Sequence, residues 1–98
     1  MVRAYVVFTG TGPILLVTKL DTGMQGEDAT QHLANKGIKK FIAYEVSQEK
    51  AEEHYGMRFT AAVNRLASDK DLRVVDVDGH TVFARFSFAE MGEPVYVE

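Results

Sequence analysis

Glu52 is the residue whose type and place most invite chemistry. On a regular helix it falls in line with Phe59 and Val63, about two turns earlier in the same apolar stripe. A carboxylate held in an apolar setting has a raised pKa and can act as an acid or a base. His54, Tyr55 and Tyr44 would line the same end of the fold. Asp21 opens the loop Asp21 to Asp28, whose two glycines give it freedom to move beside them. Glu52, Tyr55, Tyr44, His54 and Asp21 are therefore the candidate ligand-binding residues. The competing expectation is favoured: the stripe runs past the edge of the core, and Glu52 stays solvated as first-turn glutamates usually are. No residue is assigned a catalytic role.

Asp21-Thr22-Gly23, preceded by apolar residues, resembles the catalytic triplet of the aspartic proteases. Retroviral-type members of that family have chains of about this size and work as dimers, because two such aspartates must share a proton. The likeness stops at three residues. Those enzymes are nearly all β, whereas a long amphipathic helix runs through the second half of this chain, and an apolar-apolar-Gly element is absent near its end. The triplet is expected to be a strand-ending turn. Gly10-Thr11-Gly12 suggests a phosphate cradle, but Pro13 and a strand follow it where a helix should open. Both expected helix N-termini also carry acids that would repel phosphate: Glu27 and Asp28 on one, Glu49 and Glu52 on the other.

The three histidines, His32, His54 and His80, show no i, i+4 pair of the kind that holds a metal on a helix. Asp76, Asp78 and His80 are close in sequence, but a two-residue turn would carry His80 across from Val77 and away from Asp76. Neither a metal nor a cofactor is expected. Cysteine is absent, which removes disulfides, thiol catalysis and Cys-based zinc sites. With no secretory leader expected, the simplest compartment is the cytoplasm. The run Ile14-Leu15-Leu16-Val17 is far short of the ~20 apolar residues of a membrane helix. The net charge is −3, and the one basic cluster, Lys36, Lys39 and Lys40, fits a helix C-terminus better than a nucleic-acid face. Nucleic acid and membrane are not expected as partners.

The 98 residues make one α+β domain, 1–98. Residues 2–9 and 14–20 read as strands joined by a turn at Thr9 to Pro13. Glu27 to Lys36 reads as a short helix closed by Gly37, with Ile38 as the apolar contact beyond. Phe41 to Val46 reads as a strand covered on both faces. Ser47 caps a second helix carrying Ala51, Tyr55, Phe59, Ala62, Val63 and Leu66, within which Gly56 marks a kink, a restart or a close approach to the sheet. On an unbroken helix Met57 and Ala61 point away from that stripe. Asp78-Gly79 signals a closing hairpin. Its core face would carry Val75, Val77, Val82, Ala84, Phe86 and Phe88, and its other face Leu72, Val74 and Phe83.

The order is β-β-α-β-α-β-β. Strand-helix-strand steps favour parallel neighbours, so the expected architecture is a mixed sheet of about five strands with two helices packed on one face. A three-layer α/β arrangement is the alternative. Apolar residues left on the second sheet face lead to the functional expectation: a small cytoplasmic, non-enzymatic domain that acts through protein contacts as a homodimer. The alternatives are a small-molecule sensor or small enzyme using the Glu52–Tyr55 end, and a subunit whose tail, Pro94 to Glu98, adds a strand to a protein partner.

Overall fold

A computed structural model describes residues 2–19, 21–77 and 86–97. Strand β1, Arg3–Thr9, and strand β2, Gly12–Thr18, form an antiparallel hairpin in continuous register from Arg3 opposite Thr18 to Thr9 opposite Gly12. The Thr9 hydroxyl donates to the Gly12 carbonyl at 2.6 Å and accepts from the Thr11 N–H at 3.2 Å, closing the turn. A 3-10 turn, Gly23–Gln25, leads into helix α1, Glu27–Asn35. Gly37, at φ 82, ends that helix: its N–H reaches Ala34 and the Ile38 N–H reaches back to Leu33, both at 2.9 Å. Those two bonds are the glycine C-cap expected from Gly37-Ile38, with Ile38 packed on the core beyond it.

Strand β3, Phe41–Val46, is followed by Ser47, whose hydroxyl accepts from the Lys50 N–H at 3.1 Å and caps helix α2, Gln48–Tyr55. Gly56 then adopts φ 54, ψ −122, and helix α3, Met57–Ser68, starts afresh. A Cβ on Gly56 would meet nothing within 4 Å. The glycine therefore serves the backbone turn between two helices and not an approach to the sheet. Ala51, Tyr55, Phe59, Ala62 and Leu66 stay on one buried side across this break, and Val63 packs against them. The break does not turn Met57 inward: it is 89% exposed, and Ala61 is exposed too.

Strand β4, Val74–Val77, and strand β5, Tyr96–Val97, complete what is, among the described residues, a five-stranded sheet in the order β4-β2-β1-β3-β5. The fold is α+β, and the β-β-α-β-α-β element order is recovered as far as β4. Two details of the expected architecture are corrected. First, every pairing among the described strands is antiparallel, so the sheet is not mixed. β2 and β3 do run in the same direction, but β1 lies between them. The break at Gly56 lets the chain run out along α2 and return along α3. The Gln48 side-chain amide donates to the Val2 carbonyl at the start of this excursion, and the Lys19 ammonium donates to the Leu66 and Asp69 carbonyls at 3.0 and 2.8 Å at its end. The chain thus re-enters the sheet at the end it left, which makes β4 antiparallel to β3.

Second, the helices lie on both faces, giving three layers. α2 and α3 cover Ala4, Val6, Leu15, Val17, Val46, Val75 and Val77. α1 covers Tyr5, Val7, Leu16, Phe41, Ala43 and Val74. β1 and β2 are apolar at both parities, so one helical layer would leave half of their side chains in water.

The Asp78-Gly79 turn, with His80, Val82, Phe83 and Ala84, lies outside the described residues. Val75, Val77 and Phe86 are buried as expected. Phe88 does not continue a strand. It opens a helical turn, Phe88–Met91, capped reciprocally by Ser87 and Glu90: each backbone N–H donates to the other's side chain, at 3.2 and 3.3 Å. The tail supplies β5, in antiparallel pairing with β3. Among the described residues no helix is long and apolar enough to cross a membrane.

Candidate functional site

The five residues singled out from sequence are not gathered into one site. Glu52 is exposed on α2, so its carboxylate stays in water and the stripe does run past the core at this end. Tyr55 is buried, with its ring stacked 6.1 Å from Phe86. His54 meets the same Phe86 edge-on at 4.6 Å, and its Nε2 stands 3.5 Å from a Glu90 carboxylate oxygen. Tyr44, half-buried, packs edge-on to Phe8 at 5.5 Å on that same face of the sheet. Asp21 is exposed and lines a different groove with Lys19, Lys70 and Arg73. The residues that follow Asp21 turn to the α1 face, where Met24 joins the core and Gly23 closes on the Tyr5 hydroxyl.

A charged cluster that spacing did not reveal joins α1 to β4. His32 Nε2 lies 3.3 Å from Asp76 Oδ1, and Lys36 Nζ lies 2.9 Å from Asp76 Oδ2. The His32 hydrogen bond, aided by Lys36 and opposed by partial burial, holds the Asp76 carboxyl well below the usual carboxylate range. His32 on α1 and Lys36 at its C-cap are four residues apart, and strand alternation aims Asp76 at them. His32 also lines a polar groove of about 240 Å³ where Arg73 pairs with Asp28 at 3.2 Å. An imidazole oriented by a carboxylate is half of a general-base unit. Here the second carboxylate oxygen is taken by Lys36, and the described lining residues include no hydroxyl or thiol for the imidazole to activate. The cluster is built as a pin between helix and sheet. Among the described residues no three His, Cys, Asp or Glu side chains converge as metal ligands.

Apart from Met57, the exposed large apolar side chains among the described residues all lie at the β3–β5 side of the sheet. Val97 is 66% exposed, Val95 40% and Ile42 38%. Ile42 and Val97 are register partners, and Ile42 also pairs with the half-buried Phe8. The sheet therefore ends in a continuous apolar row that α2 and α3 leave partly bare. On the opposite face of the same two strands, Phe41 and Tyr96 stack at 5.2 Å, with ring planes 12° apart, beside a groove of about 340 Å³ under α1. The β3–β5 margin is thus the candidate functional site. Comparison with protein-family profiles, with curated proteins and with solved structures found no match.

Proposed function

We propose that this is a cytoplasmic, non-enzymatic domain that works through protein contact, and that its first contact is with a second copy of itself across the β3–β5 margin. The observation that carries this reading is the exposed row of Ile42, Val95 and Val97, which is a sheet-end patch and not scattered surface apolarity. Charge supports a like partner. Lys39 and Lys40 precede β3 and Glu93 precedes β5, all exposed, and the two strands run antiparallel. The basic pair and the acid therefore stand at opposite ends of the patch. A two-fold axis beside Val97 lays one copy's lysines against the other's glutamate, the self-complementarity that an isologous contact requires.

The apolar row also sets the strength. Complete burial of a Val or Ile side chain is worth about 1.5–3 kcal/mol. The partial exposures here leave about 4–9 kcal/mol for two copies, against an association cost of at least about 4 kcal/mol. The net is at most about 5 kcal/mol, so the dimer has a Kd of about a few hundred micromolar or weaker. Because the chain lacks cysteine, a single Val97→Cys substitution tests the contact cleanly. Mild oxidation at high micromolar concentration should yield a disulfide-linked dimer, while Asn64→Cys on the exposed side of α3 should not. Equal cross-linking of the two variants would defeat the proposal.

A further inference from the structure

We infer that the groove under α1, on the face of the sheet opposite the self-association patch, binds a small aromatic carboxylate. The groove is bounded by Ala34 and Ile38 of the α1 end, by Phe41 and Tyr96 of the sheet, and by Lys39 at its rim. Its volume of about 340 Å³ lies at the small end of the range for ligand pockets. The Phe41 and Tyr96 rings, 5.2 Å apart and within 12° of parallel, stack on each other with Phe41 buried, so a planar group can extend the stack only on the outer face of the half-buried Tyr96. Ala34 is the small residue that keeps the helix side of the groove open, and the Gly37 turn swings Ile38 in to close one end.

The rim decides the charge of the ligand. Lys39 is exposed and makes no ion pair with any described residue, whereas Lys36, on the other side of the Gly37 turn, is committed to Asp76. The other polar side chains at the rim are already engaged within α1: the Thr30 hydroxyl donates to the Glu27 carbonyl at 3.0 Å, and the Gln31 amide donates to Asn35 Oδ1 at 2.9 Å. The uncommitted charge is therefore a single cation above an aromatic and aliphatic floor, which matches a planar apolar body carrying one carboxylate. The groove is open to solvent, so the ion pair adds only a modest factor and most of the binding comes from the stack.

The test uses phenylacetate as the probe and its uncharged analogue phenylacetamide as the control, with backbone amide shifts followed by NMR on the full chain. Phenylacetate should give saturable shifts grouped at Ala34, Ile38, Phe41 and Tyr96. Phenylacetamide, and phenylacetate against Lys39→Met, should each bind about 3- to 5-fold more weakly. Ala34→Trp, at an exposed helix position, should abolish the shifts while the circular dichroism spectrum is kept. Shifts that do not saturate, shifts centred on another part of the molecule, or equal affinity for acid and amide would each overturn the inference. These readouts are amides on the α1 face, so they stand or fall apart from the solution mass.

Discussion

Gly23→Ala offers a sharp test of how the Asp21-Thr22-Gly23 turn is built. Gly23 sits at φ 57, and a Cβ added there would lie 2.0 Å from the Tyr5 hydroxyl oxygen and 3.0 Å from the ring carbon that bears it. Tyr5 is almost fully buried between β1 and α1, so its ring has little room to retreat. A left-handed backbone costs a Cβ-bearing residue about 1–2 kcal/mol. Forcing a buried ring aside costs about 1–3 kcal/mol more. The sum, about 2–5 kcal/mol, is a large part of the stability of a domain this small. Urea unfolding followed by circular dichroism should show a lower midpoint at an unchanged slope. Tyr5→Phe removes the nearer clash but leaves the ring carbon, so in that background Gly23→Ala should cost less yet still more than the backbone share alone. Tyr5→Phe also removes the hydrogen bond between Tyr5 and Arg3, so its own cost must be measured as one leg of the cycle. A Gly23→Ala cost below about 0.5 kcal/mol, or a cost identical with and without the Tyr5 hydroxyl, would refute the reasoning.

Gly56→Ala should lower stability by about 1–3 kcal/mol through its positive φ alone, since the new methyl meets no neighbour; a thermal melt unchanged from the native chain would contradict this. Asp76→Asn should cost about 1–2 kcal/mol at neutral pH by leaving His32 and Lys36 without their shared carboxylate. Because the folded-state pKa of Asp76 is depressed, its contribution is complete above the unfolded carboxylate value of about 4 and is lost as pH falls from there toward the lower folded value. Stability of the native chain should therefore fall more steeply below about pH 4 than that of Asp76→Asn, and equal slopes in acid titrations of the two would count against the pin.

The local signals in the chain carried well into three dimensions. The Thr9–Gly12 turn, the Gly37-Ile38 helix end and the Ser47 cap each depend on a few neighbouring residues, and each is found where those residues stand. The layer count depended on a subtler pattern. Tyr5, Val7 and Leu16 alternate with Ala4, Val6 and Leu15, so both parities of the central strands ask for cover. Val74, on the second face of the sheet, finds its cover in α1. Strand direction hung on Gly56: a straight helix would have delivered the chain to the far end of the sheet, and the break returned it. His32 and Asp76 are 44 positions apart, and no spacing rule links a helix residue to a strand residue before the sheet order is known. The exposed row at Ile42 and Val97 was hidden for the same reason. Those side chains are ordinary strand residues until β5 is placed beside β3 and the helices are seen to stop short of them.

Sedimentation equilibrium at several concentrations up to the high micromolar range tests self-association most directly. The weight-average mass of the native chain should rise above 10.9 kDa with concentration, as a monomer–dimer equilibrium requires. Val97→Lys should remove about 1–2 kcal/mol per copy, lost twice in a two-fold contact, and so weaken the dimer by about 30- to 1,000-fold and hold the chain at the monomer mass. A native chain that stays monomeric throughout, or a Val97→Lys variant that dimerises as readily as the native chain, would contradict the account.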